Sequence, residues 1–208
     1  MKKSIPRLNK LSPSDYDEGM VGAEFSINKI DSLLHKGSNG VSKIGIWGIG
    51  GISKTTIAHT VFKKISNQFE RSYFVENVRE ESEKNTNLTH LRNELLSKLL
   101  HDTCPNIGVT CKALNVLIVF YHVTSLIQIE NLIGNLDLSL ESQIIITTRD
   151  KHVLSICGVD DAYMDKVDEL REKKAHQLFN QYTFRQYSPI ADYMELSKKA
   201  VAYTKGLP

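Results

Sequence analysis

Residues 48–55 constrain the fold of this chain more than any other segment of the sequence. They read Gly-Ile-Gly-Gly-Ile-Ser-Lys-Thr, which matches the pattern G-x-x-x-x-G-K-[ST] except that Ser53 stands where the last glycine belongs. A β-branched stretch over 41–47 precedes the loop, and apolar residues at helical spacing follow it. The order strand, glycine loop, helix predicts a loop whose backbone N–H groups surround a phosphate at a helix N-terminus.

Individual residues of the loop have distinct expected roles. Lys54 would reach the outer phosphates of a nucleotide, and Thr55 would offer its hydroxyl to Mg²⁺. Ser53 has two interpretations that the sequence leaves open. Its Cβ and its backbone requirements could weaken phosphate binding, or its side chain could cap the helix that starts at Lys54.

The rest of the chain alternates between strand and helix patterns. Short runs rich in β-branched residues predict strands, and apolar residues that recur every three or four positions predict helices. The predicted strands cover 73–78, 116–120 and 143–148, and the predicted helices cover 27–34 and a segment from Leu88 to Leu99. This order predicts an α/β fold in which helices flank a mostly parallel sheet.

The sequence divides into three regions. Residues 1–19 are polar, contain two prolines and predict a linker or tail. Residues 20–167 predict the nucleotide-binding domain, and residues 168–208 predict a portion of a small helical domain. Within 168–208, a first apolar face carries Ala175, Leu178, Phe179 and Tyr182, and a second carries Tyr193, Leu196, Ala200 and Tyr203. We expect some of these faces to be left exposed.

Charge and cysteine content exclude several classes of function. Lysine and arginine number 26 against 24 aspartates and glutamates, without a basic cluster, so we expect no nucleic-acid partner. Cys104, Cys111 and Cys157 form no Cys-x-x-Cys pair, which indicates ordinary thiols in a reducing compartment. The longest apolar run is too short for a membrane span, so we expect no membrane partner and a cytoplasmic protein, with the nucleus as an alternative location.

Five motifs in order give the chain a family resemblance. They are Met20-Val21-Gly22, the string from Gly45 to Thr56, Phe74-Val75-Glu76-Asn77-Val78-Arg79, Ile144-Ile145-Ile146-Thr147-Thr148-Arg149-Asp150, and Gly206-Leu207-Pro208. Together they resemble the NB-ARC domain of plant disease-resistance proteins. The Phe-x-x-Asn-Val-Arg and Thr-Thr-Arg-Asp forms resemble the subclass that carries an N-terminal TIR domain and leucine-rich repeats.

The resemblance implies a P-loop NTPase fold followed by the start of an ARC1-like helical domain. It also implies a switch in defence signalling that holds ADP at rest and ATP when activated, with other receptor domains or signalling proteins as partners and with self-association. Val21 and Gly22 would line the adenine pocket, Arg149 would sense the terminal phosphate, and Pro208 would pack near the adenine. The phosphates would be wrapped by Gly48, Ile49, Gly50, Gly51, Ile52, Ser53, Lys54, Thr55 and Thr56.

One motif of the family departs from its pattern here. The apolar strand that should end in two aspartates is followed instead by Tyr121 and His122, and no acidic residue lies between Asp102 and Glu130. Because Mg²⁺ prefers carboxylate and phosphate oxygens, we expect weakened metal binding and impaired hydrolysis, so the chain is not predicted to be an enzyme. Two alternatives stay open: an active ATPase in which Asp150 reaches the metal, and an interaction module or remnant that binds no nucleotide.

Overall fold

The structure is a computed structural model that describes residues 22–36, 40–84, 88–100, 114–134, 136–184 and 193–208. The predicted tail over 1–19 lies outside these residues, as do Val21, Cys104 and Cys111. The helices are α1 (Glu24–Leu34), α2 (Lys54–Ile65), α3 (Val78–Glu83), α4 (Leu88–Leu100), α5 (Leu126–Ile133), α6 (Lys151–Ile156), α7 (Glu172–Phe184) and α8 (Met194–Thr204). The strands are β1 (Ser42–Trp47), β2 (Arg71–Val75), β3 (Val116–Phe120), β4 (Gln143–Thr148) and β5 (Met164–Lys166).

The five strands form one sheet in the order β2-β3-β4-β1-β5, and each neighbouring pair is parallel. Every residue of β3 is buried, as its apolar sequence predicts for a strand covered on both faces. From β1 the chain crosses to β2 at one edge of the sheet, and from β4 it crosses to β5 at the other edge. β1 and β4 are therefore adjacent strands whose connections run in opposite directions. In open parallel sheets, ligands bind at the carboxyl ends of strands beside such a reversal.

Helices cover both faces of the sheet, and side chains that alternate along each strand contribute to two separate cores. Ile44 and Ile46 of β1 pack with the apolar sides of α1 and α2 on one face. Ile118 and Phe120 of β3 pack with α4 on the other face. Burial of a large aliphatic side chain contributes roughly 1.5–3 kcal/mol. The predicted α/β architecture with flanking helices is therefore confirmed.

Several short elements were not predicted, and one strand ends earlier than expected. β2 ends at Val75 rather than at residue 78, because Asn77 adopts a left-handed conformation with φ 54° and α3 begins immediately after it. Elements of three to eight residues, such as β5, α3, α6 and α5, are too short to show a full apolar period.

The segment after β5 contains two helices and, among its described residues, no strand. In α7, Ala175 and Leu178 are buried as expected, whereas Tyr182 is exposed. The packed residues of α8 are Ser197 and Val201. Tyr193, Leu196 and Tyr203 of the second apolar face are exposed, in line with the expectation that some of these faces are not packed.

No helix within the described ranges is both long enough and apolar enough to cross a membrane.

Candidate functional site

The glycine loop lies at the carboxyl end of β1, beside the carboxyl end of β4. Pairing of Trp47 with Thr148 places the loop next to the residue that follows β4, Arg149. Gly48 has φ 153°, and a Cβ built on it would lie 2.7 Å from the carbonyl oxygen of Val167. A side chain at this position would collide with the backbone that follows β5, so the close approach requires glycine.

Ser53 adopts a left-handed backbone conformation, with φ 61° and ψ 17°, at the residue before α2. Its side chain forms no capping hydrogen bond, so the interpretation of Ser53 as a helix cap is wrong. This conformation costs a residue with a Cβ roughly 1–2 kcal/mol, whereas glycine adopts it freely. The substitution in the loop pattern therefore stores backbone strain at the predicted phosphate site.

Lys54 lies folded back over the loop. Its Nζ donates hydrogen bonds to the carbonyl oxygens of Gly48 at 2.8 Å and Ile49 at 2.6 Å, and the residue is 8% exposed. Burial, and then the positive charge of Arg149, lower the pKa of Lys54 from 10.5 to about 8. A phosphate oxygen entering the loop would compete with these two carbonyl oxygens for the ammonium group.

Arg149 follows β4 directly and reaches the glycine loop. Its guanidinium carbon lies 3.3 Å from the position that a Cβ on Gly50 would occupy. The structure thus brings together Lys54, which the loop pattern assigned to phosphate contacts, and Arg149, which the family resemblance assigned to them. A planar guanidinium group can bind two phosphate oxygens at once.

The carboxyl end of β3 keeps an ordered backbone although its expected aspartates are absent. The N–H of Tyr121 donates to the carbonyl oxygen of Val75 at 3.0 Å. The N–H of His122 donates to Oγ1 of Thr147 at 3.0 Å, and the N–H of Val123 donates to the carbonyl oxygen of Thr147 at 2.9 Å. These bonds tie Tyr121 to the end of β2 and His122 to the end of β4.

The ring of His122 is partly buried in cationic surroundings. Burial, and then the charges of Arg149, Arg79 and Lys54, lower its pKa below the usual 6.5, against a smaller opposing effect of Glu80. Its Nε2 is buried and has no hydrogen-bond partner among the residues that the structure describes. The backbone φ of 63° is again left-handed. His122 is thus an uncharged imidazole near neutral pH.

A cavity of about 240 Å³ lies between the glycine loop and the ends of β3 and β4. Its lining residues are Gly50, Gly51, Ile52, Ser53, Lys54, Thr55, Thr56, Tyr121, His122, Thr147, Thr148 and Arg149. None of them carries a carboxylate. The loop therefore still faces open space although Lys54 is folded onto it.

A second cavity of about 290 Å³ shares Ile52 and Arg149 with the first. It lies between the start of the loop and the chain after β5, and Trp47, Gly48, Ile49, Lys166, Val167, Asp168 and Glu169 complete its lining. Of the nine predicted loop residues, Gly48 and Ile49 thus line this cavity, Ile52 lines both, and the other six line the first.

The residues around the first cavity do not fit a resident Mg²⁺ ion. Thr55, the expected ligand, lines the cavity, but Tyr121 and Thr147 supply only neutral oxygens. Asp150 does not line it: its Oδ1 accepts a hydrogen bond from the N–H of His152 at 2.9 Å and caps α6. Over the described ranges, no cluster of three histidine, cysteine, aspartate or glutamate side chains could hold a metal ion. Mg²⁺ normally requires at least one carboxylate besides phosphate.

Gly22 and the segment ending in Pro208 lie on either side of Leu170. The side chain of Leu170 occupies the space that a Cβ on Gly22 would need. The N–H of Leu170 donates to the carbonyl oxygen of Gly206 at 2.9 Å. Gly22 and Pro208 line neither cavity, so their contact with adenine stays a prediction. The same prediction for Val21 falls outside the described residues.

Two residues that line the first cavity were not predicted from the sequence as site residues. Thr147 and Thr148 are buried and face the cavity, and the Thr-Thr-Arg-Asp string was noted only for its resemblance and for Arg149. The available signal was the position of both threonines at the end of a buried strand, where polar side chains are expected to meet a ligand.

Comparison with known proteins adds the following similarities. The profile described as "NB-ARC domain" matches residues 23–188. Disease resistance protein RPV1 of Vitis rotundifolia is 37% identical over 99% of this chain and 15% of its own length. TMV resistance protein N of Nicotiana glutinosa is 34% identical over 97% of this chain and 18% of its own length. The chain therefore spans less than a fifth of these relatives.

Solved structures share the fold at low sequence identity. Cdc6p from Pyrobaculum aerophilum is 13% identical and matches with a TM-score of 0.59, over 91% of this chain and 56% of its own. AMPPCP-bound DnaA from Aquifex aeolicus is 18% identical and matches with a TM-score of 0.50, over 89% of this chain and 58% of its own.

Proposed function

The chain belongs to the NB-ARC domain family, and on this premise we propose that it binds ADP or ATP as the switch module of a plant disease-resistance protein. The observation that carries the proposal is the cavity at the carboxyl ends of β1 and β4. There the glycine loop, Lys54 and Arg149 face one open space. Cations and backbone N–H groups at a helix N-terminus are the groups that bind phosphate in proteins. A fold neighbour, DnaA, holds the ATP analogue AMPPCP.

We further propose that hydrolysis is impaired. Phosphoryl transfer at a P-loop depends on a metal ion that neutralises developing charge and on a residue that positions the attacking water. The residues at the end of β3 that would serve these roles are Tyr121 and His122, and no lining residue is acidic. With Mg²⁺ weakly held, the module would act by holding nucleotide and not by turning it over.

The organisation around this site is also a proposal. We assign residues 20–167 to the nucleotide-binding domain and 168–208 to a portion of an ARC1-like helical domain, since α7 and α8 follow the last strand. By analogy with much longer relatives, the partners would be TIR and repeat domains, signalling proteins or further copies of the receptor, and not nucleic acid or membrane. The location would be the cytoplasm, with the nucleus as an alternative.

The test of binding is calorimetry of the purified chain with ADP and with Mg-ATP. We expect measurable heat for ADP and a higher melting temperature in its presence, because a ligand that binds only the folded state must stabilise it. No heat for either nucleotide at near-millimolar protein, together with an unchanged melting temperature, would leave only an interaction module or a remnant.

Impaired hydrolysis is tested separately by phosphate release. The parent chain and a Lys54→Ala variant should release phosphate from Mg-ATP at the same background rate. A parent rate clearly above the variant would instead show an active ATPase, and the proposal of impaired hydrolysis would be abandoned.

A further inference from the structure

We infer that the cavity binds its nucleotide in the metal-free form, with the imidazole of His122 contacting phosphate oxygens where a hydrated Mg²⁺ would otherwise lie. The inference rests on the proposed function, since it specifies the form of the nucleotide and one new contact at the same site. Two observations carry it, the sign of the charges around the cavity and the unpartnered nitrogen of His122.

The charges around the cavity are positive. Lys54 and Arg149 line it, and no carboxylate does. Arg79 is close enough to affect His122 electrostatically, and its own guanidinium lies 2.7 Å from Glu83. A divalent cation placed here would meet two cations and no anionic protein ligand. A metal-free nucleotide carries more negative charge than its Mg²⁺ complex, so the same field favours it.

His122 lies beside the space that a phosphate group would occupy. Its backbone is fixed to β4 through Thr147, and its ring lies on the cavity wall across from the glycine loop. The buried Nε2 lacks a hydrogen-bond partner among described residues, and such an orphan costs free energy until a partner arrives. Because Nε2 is shielded from solvent, this contact requires the ring to turn about its Cβ–Cγ bond. In the tautomer that carries its proton on Nε2, the turned neutral ring donates to a phosphate oxygen, which satisfies both groups.

The groups that face His122 come from several elements. Arg149 follows β4, Lys54 begins α2, and Arg79 and Glu80 lie on α3. The ring of Tyr121 lies with its centroid 5.7 Å from that of His122. Glu80 is the one acidic group in this set, and it is not among the cavity-lining residues. The surroundings of the imidazole thus favour an incoming anion over an incoming metal ion.

The experiment is calorimetric titration of the full chain with ADP, once in EDTA and once in excess Mg²⁺. We expect the parent to bind ADP at least as tightly in EDTA as in Mg²⁺. His122→Asp should bind ADP about tenfold more weakly in EDTA, because an anion replaces a donor, and should now bind more tightly when Mg²⁺ is added. His122→Gln keeps an N–H donor and should retain the parent's preference.

The matched control is His90→Asp, the same substitution at an exposed position on α4, which should leave both affinities unchanged. Melting curves establish that each variant is folded. This inference is overturned if the parent binds ADP only in Mg²⁺ and if His122→Asp leaves the ratio of the affinities in Mg²⁺ and EDTA unchanged. The proposed function would then still stand. Absence of ADP binding in both media would overturn the two together.

Discussion

The glycine loop after β1 and the end of β3 face each other across one cavity, yet they depart from the family pattern in different ways. The loop keeps Lys54, Thr55 and three glycines, and its one substitution, Ser53, is accommodated by strained backbone. The end of β3 keeps its backbone hydrogen bonds and loses both expected carboxylates. The groups proposed to bind phosphate and those proposed to support hydrolysis are therefore separable in this fold, because neither set of side chains is needed to form the sheet.

The first prediction removes Lys54 from the glycine loop and has the largest expected effect. Lys54→Ala should weaken ADP binding about 100-fold, since charge-assisted bonds to phosphate contribute about 1.5–3 kcal/mol and a buried positive charge is lost with them. Calorimetry measures the change, and Lys173→Ala on the exposed side of α7 is the control. Equal affinities for the two variants would place the nucleotide elsewhere.

The second prediction restores carboxylates at the end of β3. Replacing Tyr121 and His122 together by aspartate should raise Mg²⁺-dependent phosphate release about tenfold above the parent, because the metal regains carboxylate ligands. Aspartate also tolerates the left-handed backbone at position 122. Adding Lys54→Ala to this variant should abolish the gain. A double variant that stays at background would indicate that something other than these two side chains limits hydrolysis.

A third prediction uses pH to test the role of the Lys54 ammonium group. Burial and Arg149 lower the pKa of Lys54 to about 8, so the ammonium loses its proton as pH rises through that value. Bound phosphate favours the charged form, so ADP affinity should begin to fall near pH 7 and be about tenfold lower at pH 9 than at pH 7. Titrations across this range measure the loss. A similar decline in Lys54→Ala would assign it to another group.

The smallest expected effect concerns the strain in the loop. Ser53→Gly should relieve about 1 kcal/mol of left-handed strain and raise the melting temperature, partly offset by the flexibility of glycine in the unfolded chain. Ser66→Gly, at the other end of α2 with φ −55°, is the matched control and should lower the melting temperature. If both substitutions destabilise the chain equally, Ser53 is not strained.

The sequence predicted those features of the fold and site that local patterns determine. A β-branched run, a glycine loop and a periodic helix located β1, the loop and the start of α2 to within a residue or two. The contact of Arg149 with Gly50 depends on the pairing of β1 with β4, which are about a hundred residues apart in sequence. The folding of Lys54 onto the carbonyls of Gly48 and Ile49 depends on the path of the loop backbone in space. Neither could be obtained from spacing alone.

Leu170 contacts both the first and the last described segments of the chain. It packs against Gly22 at the start of the described chain and bonds Gly206 near its end. Leu170 thus joins the segment that precedes α1 to the segment that follows α8. A substitution at Leu170 would therefore disturb the packing of both segments at once.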